Sequence, residues 1–134
     1  MAPAAFSILL TDDDAHFHFL LKRMFELCSV PHEIIFLMDG VQLLEFLDRP
    51  QRPRLDCIVI DLNMPRKNGF EALLEIRKKN LARNTPIVVA SHASGEHQAE
   101  KAIGLGAQLY LEKPSGIDEF KTFIAKLLET AETR

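Results

Sequence analysis

The chain carries only two cysteines in 134 residues, Cys28 and Cys57, and both sit in apolar runs. That usage argues against a disulfide framework and for buried, reduced thiols. His and Cys residues also lack the paired spacing that a zinc site needs. Charge of one sign is scarce: 16 Lys and Arg against 19 Asp and Glu leave a net charge of −3. A nucleic-acid binder usually shows a basic footprint, so that class of partner is set aside. The imbalance is too small for a polyanionic tail. Long hydrophobic runs are missing as well. The first apolar stretch stops at Asp12 with no basic region before it, too short for a signal peptide or a membrane span. A cytoplasmic chain without a membrane anchor is expected. Internal repeats and low-complexity tracts are absent.

What is present is the material of one domain. Hydrophobic content of 47% and charged content of 26% are ordinary for a globular chain, and 134 residues fit a single unit, residues 1–134. Strand-like and helix-like patterns alternate. Phe6 to Thr11 is an apolar run ending in Asp12, Asp13 and Asp14. Phe17, Leu20, Leu21, Met24 and Cys28 then recur on one helical face, with Asp14 placed to cap it and Pro31 to close the element. Glu33 to Met38 predicts a second strand closed by an Asp39-Gly40 turn, and Val41, Leu44, Phe46 and Leu47 a short second helix. Residues 48–54, with Pro50 and Pro53, form a polar connecting loop. A third strand ends in Asp61. Gly69 opens a helix with Phe70, Leu73, Leu74 and Leu81 inside, while Glu71, Glu75 and Lys79 form a solvated charge row.

Pro86 to Ala90 predicts a fourth strand, ending in Ser91. The fourth helix, residues 95–105, is weak: Ala99, Ala102 and Ile103 make its inner face, and Gly104 and Gly106 lie at its end. Leu109 to Glu112 gives a fifth strand that runs into Lys113-Pro114, and Ile117, Phe120, Ile124, Leu127 and Leu128 line the last helix. His16, His18, His32 and His97 are expected at the surface, and Phe19, Phe25 and Phe123 at the edges of their helix stripes. Five strands alternating with five helices give an α/β fold, a parallel sheet with helices on both faces.

The ends of these strands carry the chemistry. Four runs deliver, in order, Asp12-Asp13, Asp61, Ser91 and Lys113. In open α/β sheets ligands bind outside the carboxyl ends of the strands, so these groups converge on one site. Two unit charges about 4 Å apart repel by about 4 kcal/mol at an effective dielectric of about 20. A bound cation relieves such a cluster, and oxygen ligands with open positions suit Mg²⁺. Asp13 and Asp61 fit as its ligands. Lys113 is a point charge for a carboxylate or phosphoryl oxygen, and Ser91 offers a hydroxyl. Together they describe a nucleophilic Asp, a metal and an electrostatic clamp for phosphoryl transfer.

From Phe6 to the C-terminus the sequence resembles a response regulator receiver domain. Asp12-Asp13 matches the acidic pair after the first strand, and Asp61 through Gly69 matches the phosphoacceptor motif Asp-x-x-Met-Pro-x-x-x-Gly. The resemblance implies a doubly wound, flavodoxin-like sheet of order 2-1-3-4-5, an example of the fold given in general accounts of it. It implies Asp61 as phosphoacceptor, and Asp13, Asp61 and the backbone carbonyl of Asn63 as Mg²⁺ ligands, with Asp12 acting through water. Ser91 corresponds to the switch hydroxyl, Tyr110 to the switch aromatic, and Lys113 to the lysine before a cis-bonded Pro114. The partner implied is a sensor histidine kinase that donates from a phosphohistidine. The stretch 61–69 most resembles stand-alone regulators of bacterial phytochromes and related kinases.

With no output domain in 1–134, the signal is expected to pass by contact with a downstream protein or by onward relay. The face of the fourth helix, fifth strand and fifth helix is a candidate homodimer surface. Two departures stand out. His92 follows Ser91 where a small residue is usual, a possible gate to the site. Thr11 replaces an aliphatic residue, a minor packing change. A metal-dependent phosphohydrolase is the competing reading, but haloacid-dehalogenase phosphatases carry a further Asp where this chain has Asn63. A degenerate receiver that only binds protein is the third, and the intact acids and Lys113 argue against it.

Overall fold

The computed structural model describes residues 5–92 and 95–132. Along them run β1 (Phe6–Thr11), α1 (Ala15–Leu27), β2 (His32–Leu37), α2 (Gly40–Leu47), β3 (Cys57–Asp61), α3 (Gly69–Lys78), β4 (Ile87–Ser91), α4 (Glu96–Gly104), β5 (Leu109–Glu112) and α5 (Ile117–Glu132). All four strand pairings are parallel and the order is β2-β1-β3-β4-β5, the doubly wound sheet that the alternation and the resemblance imply. β3 and β4 are buried at every position, as parallel strands covered on both faces must be.

Side-chain alternation sorts the strands between two cores. Leu9, Ile58, Ile60 and Val89 pack with α2 and α3 on one face. Ile8, Leu10, Val59 and Val88 pack with α1 and α5 on the other. Each fully buried aliphatic or aromatic side chain contributes about 1.5–3 kcal/mol. Because all strands run parallel, every strand terminates at the same edge, and the residue just past the apolar run is held there.

Several helix faces are rotated from the expected ones. Phe25 and Phe123 are core residues, because Phe17, Leu21, Met24 and Phe25 share the stripe of α1 and Phe120, Phe123, Ile124 and Leu127 that of α5. Leu43, unremarked in the sequence, is fully buried in α2. Leu74, Ile103 and Ile117 face outward instead, at 41%, 51% and 62% exposure. Ala102 is the only residue of α4 that is fully covered, so that helix is anchored more weakly than expected. Cys57 is buried and free, whereas Cys28 is half-buried at the end of α1.

His18 is buried, not a surface residue: its ring stacks on Phe36 of the edge strand β2, with centroids 4.6 Å apart. His32 is half-buried, its Nδ1 donating to the Val30 carbonyl and its ring packed on Phe25. The charge row on α3 is divided between two other tasks. Glu71 closes a capping box with Asn68, and Glu75 pairs with Lys67. Asp14 caps α1 as expected, accepting from the His16 and Phe17 amides. No described peptide bond is cis, so the bond before Pro114 is trans, contrary to the expectation from resemblance. Cis and trans X-Pro forms differ by only about 0.5–1 kcal/mol, so local packing decides between them.

Candidate active site

Asp12 stands one residue past β1, where its amide donates to the Leu37 carbonyl at 3.0 Å and extends the pairing with β2. Its carboxylate is fully engaged. Oδ1 accepts the Asp14 amide at 2.9 Å, and Oδ2 lies 2.6 Å from Lys113 Nζ. Asp61 ends β3, beside Ala90 in the neighbouring strand, and Ser91 is the next residue along β4. Lys113 follows β5, and its amide donates to the Ser91 carbonyl at 2.8 Å, which ties the ends of β4 and β5 together. Lys113 Nζ reaches Asp61 Oδ2 only at 3.6 Å, while sitting 4.9 Å above the Phe17 ring centre. The lysine therefore neutralises Asp12 first and Asp61 less completely.

Ligand oxygens of Asp12, Asp13 and Asp61 all lie within 4.8 Å of one another. Asp12 and Asp61 are buried at 1% and 5% exposure, whereas Asp13 is open to solvent. Burial pushes the Asp61 carboxyl up to about 6, the Asp12 charge adds to the rise, and Lys113 opposes it. At neutral pH three carboxylates and one ammonium leave an excess charge of −2 here. A divalent cation cancels that excess, and an all-oxygen donor set suits Mg²⁺ or Mn²⁺. Because both Asp12 oxygens already have partners, Asp13 and Asp61 are the carboxylates best able to give a direct bond. The residues present fit such an ion.

The other expected residues lie around this centre. Ser91 is fully buried at the end of β4. Asn63 is exposed in the loop after β3, and its backbone amide donates to the Asp61 carboxylate. Tyr110, opposite Val89 on β5, is half-buried and its hydroxyl donates to Gln98 of α4 at 3.1 Å. His92 is exposed and lines, with Lys113 and Pro114, an open depression of about 560 Å³. Residues 93 and 94, between the expected switch residues Ser91 and Tyr110, lie outside the described residues.

Two features escaped sequence reasoning. Asp39 is the N-cap of α2 and not part of a simple turn, accepting the Gln42 amide at 2.9 Å. Its Oδ2 also receives Arg66 Nε at 2.9 Å and Nη2 at 2.7 Å, which clips the loop after β3 onto the start of α2. Burial pushes the Asp39 carboxyl up, but the Gln42 amide and the Arg66 guanidinium hold it below its ordinary value. Asp followed by a helical pattern is a cap signature that reveals half of this clip; nothing in the sequence marks Arg66 as its partner. Thr11 is the other: its hydroxyl is buried without a hydrogen-bond partner among the described residues, a polar cost and not only a packing change.

Residues 8–125 match the response regulator receiver domain. The chain belongs to that family. Response regulator Rcp1 of Synechocystis sp. is 31% identical over 119 residues, which cover 85% of this chain and 81% of Rcp1. The crystal structure of Rcp1 in its Mn²⁺-bound form has a TM-score of 0.74 at 32% identity, covering 87% of this chain and 88% of that one. The phosphorylated cyanobacterial phytochrome response regulator RcpA reaches 0.78 at 27% identity, covering 94% and 93%. Longer relatives match as well: the chain spans 10% of the sensor protein EvgS and 48% of the transcriptional regulatory protein CpxR of Escherichia coli. As a response regulator receiver, this protein is a component of two-component signalling. No described helix of the receiver is long and apolar enough to cross a membrane.

Proposed function

We propose that this receiver takes a phosphoryl group from the phosphohistidine of a sensor histidine kinase onto Asp61. The observation that carries the reading is the Asp61 carboxylate at the end of β3, within 4.8 Å of Asp12 and Asp13 and 3.6 Å from Lys113. An Asp61 oxygen attacks phosphorus in line, the P–N bond breaks, and its electron pair returns to the leaving imidazole, which picks up a proton. Asp13, Asp61 and the Asn63 carbonyl would hold Mg²⁺, whose charge would draw electron density from the phosphoryl oxygens. Asp12 fixes Lys113, Lys113 holds a phosphoryl oxygen, and Ser91 donates to another. The chain thus assists its own phosphorylation and dephosphorylation without acting on a separate substrate.

Ser91 moving toward the phosphoryl group opens space that Tyr110 fills, giving up its bond to Gln98 and releasing α4. The partner side of the proposal rests on RcpA, a phytochrome response regulator by name, so a phytochrome-type kinase is the favoured donor. We place the receiver in the cytoplasm, signalling by protein contact or onward relay. Incubation with acetyl phosphate and Mg²⁺, followed by mass measurement, tests the chemistry. A stable single phosphoryl adduct, lost in Asp61→Asn, nearly lost in Asp13→Ala and lost with EDTA, is expected. Labelling that persists in Asp61→Asn overturns the assignment; fast turnover of acetyl phosphate without an adduct points to a phosphohydrolase instead.

A further inference from the structure

At the opposite edge of the sheet from Asp61, the loops preceding β3, β4 and β5 enclose an open depression of about 1410 Å³. Its wall holds Arg49, Arg52, Arg54 and Arg83 and not one Asp or Glu. The chain has eight arginines and eight lysines, so half of its arginines and none of its lysines line this one hollow. Chance placement on a chain with net charge −3 does not favour such a cluster. Arg54 is neutralised by Asp56 at 2.7 Å. Arg49 lies over the Phe46 ring at 4.9 Å, and neither it nor Arg52 nor Arg83 takes part in an ion pair among the described residues.

The two loops that present these guanidinium groups are stiff. Pro50, Pro53 and Pro86 fix φ within them. Ala82, directly before Arg83, holds φ at +53, a left-handed conformation that an alanine adopts only when its surroundings impose it. Strain of this kind gathers at ligand clamps, and here it fixes the arm that carries Arg83.

We infer that this depression is a docking site for an acidic segment of a partner protein, its carboxylates held by Arg49, Arg52 and Arg83. The planar guanidinium fork matches a carboxylate bidentately, which an ammonium does not, and the hollow uses arginine throughout. Its volume exceeds the roughly 300–1,000 Å³ of small-molecule sites, so an extended chain fits it better than a compact ligand. A nucleic acid fits it less well, because a long polyanion would also meet the acidic remainder of the surface. The site lies away from Asp61 and is independent of the phosphoryl chemistry.

A short polyglutamate peptide labelled with fluorescein serves as the probe, read by anisotropy and by amide shifts of the isotope-labelled receiver. Shifts concentrated in residues 49–54 and 80–86 are expected, with binding that weakens as salt rises. Arg52→Glu combined with Arg83→Glu should weaken it at least about tenfold, because like charges now face each other. The milder Arg52→Gln and Arg83→Gln pair, with circular dichroism as the check on folding, should weaken it in the same direction. Equal affinity in both double variants, shifts elsewhere, or equal binding of a polyglutamine peptide overturns the proposal. Tighter binding of tripolyphosphate or of a DNA duplex through the same arginines overturns the choice of occupant.

Discussion

Asp61 keeps its proton to about pH 6 in the metal-free fold, whereas an ordinary aspartate loses it near 3.8. Since the folded value lies above the unfolded one, the unfolded chain ionises first as pH rises. Stability of the metal-free receiver therefore falls between 3.8 and about 6, and the full cost is present above that window. Raising the carboxyl from 3.8 to about 6 corresponds to about 3 kcal/mol. In EDTA, Asp61→Asn is expected to exceed the parent protein in stability by about 2–3 kcal/mol at pH 7, with the gap closing toward pH 4. Urea unfolding at the two pH values measures it, and a gap independent of pH contradicts the account. His92 is the second residue with a clear test. Its exposed ring borders the depression next to Lys113. Removing it by His92→Ala is expected to speed both acetyl-phosphate labelling and hydrolysis of the adduct, with little dependence on pH. Rates unchanged from those of the parent make His92 a bystander.

Between residue and fold stand two elements with opposite character. The loop after β3 is pinned: Arg66, at φ +65, grips Asp39, and a Cβ on Gly40 would lie 2.5 Å from the Lys67 carbonyl oxygen. Gly69 is pinned as well, since a Cβ there would lie 2.6 Å from the Asp61 carbonyl oxygen. Arg66→Ala leaves the buried Asp39 with fewer partners. It should cost about 1 kcal/mol, a figure kept low because Arg66 is 56% exposed. Mg²⁺ titration should also weaken in that variant, because Asn63 lies in the loop it frees; unchanged Mg²⁺ affinity separates the clip from the site. Helix α4 is the loose element, with Ala102 alone fully covered and Tyr110 tethered to it by one hydroxyl. Hydrogen exchange with and without a phosphoryl mimic should differ most in residues 95–112. Uniform change across the chain contradicts a local switch. The sequence made this contrast only partly legible. Small residues and glycines exposed the weakness of α4, but a clip between residues 39 and 66 depends on two loops meeting in space.

At the scale of the molecule, the sheet was readable because each strand is an apolar run with a polar residue immediately beyond it. Asp12, Asp61, Ser91 and Lys113 were placed at the strand ends in this way. Helix faces were less legible: Phe25 and Phe123 lie near the stripe boundary, and only docking on the sheet decides that they point inward. His18 looked like a surface residue because nothing local indicates that Phe36 of the edge strand will cover it. The arginine hollow was invisible for the same reason. Residues 49–54 read as a polar loop until Arg83 joined them from the other side of β3. The α4–β5–α5 face remains the proposed homodimer surface, and Ile103 and Ile117 stand exposed on α4 and α5. Sedimentation is expected to show a larger species after phosphorylation. A mass that does not change leaves that face to heterologous partners.

The acidic centre is assembled from residues 12, 13, 61 and 113, spread across most of the chain's length. No fragment ending before β5 contains it. During synthesis the aspartates appear early, but the lysine that neutralises Asp12 arrives only after all five strands have been made. On the proposed chemistry, an unfinished or half-unfolded copy is therefore expected to take up no phosphoryl group and to report no false signal. Cutting the chain within residues 48–54 would part Asp12 and Asp13 from Asp61 and Lys113, so that labelling returns only when the two pieces reassemble. The receiver thereby certifies its own completeness before it can speak.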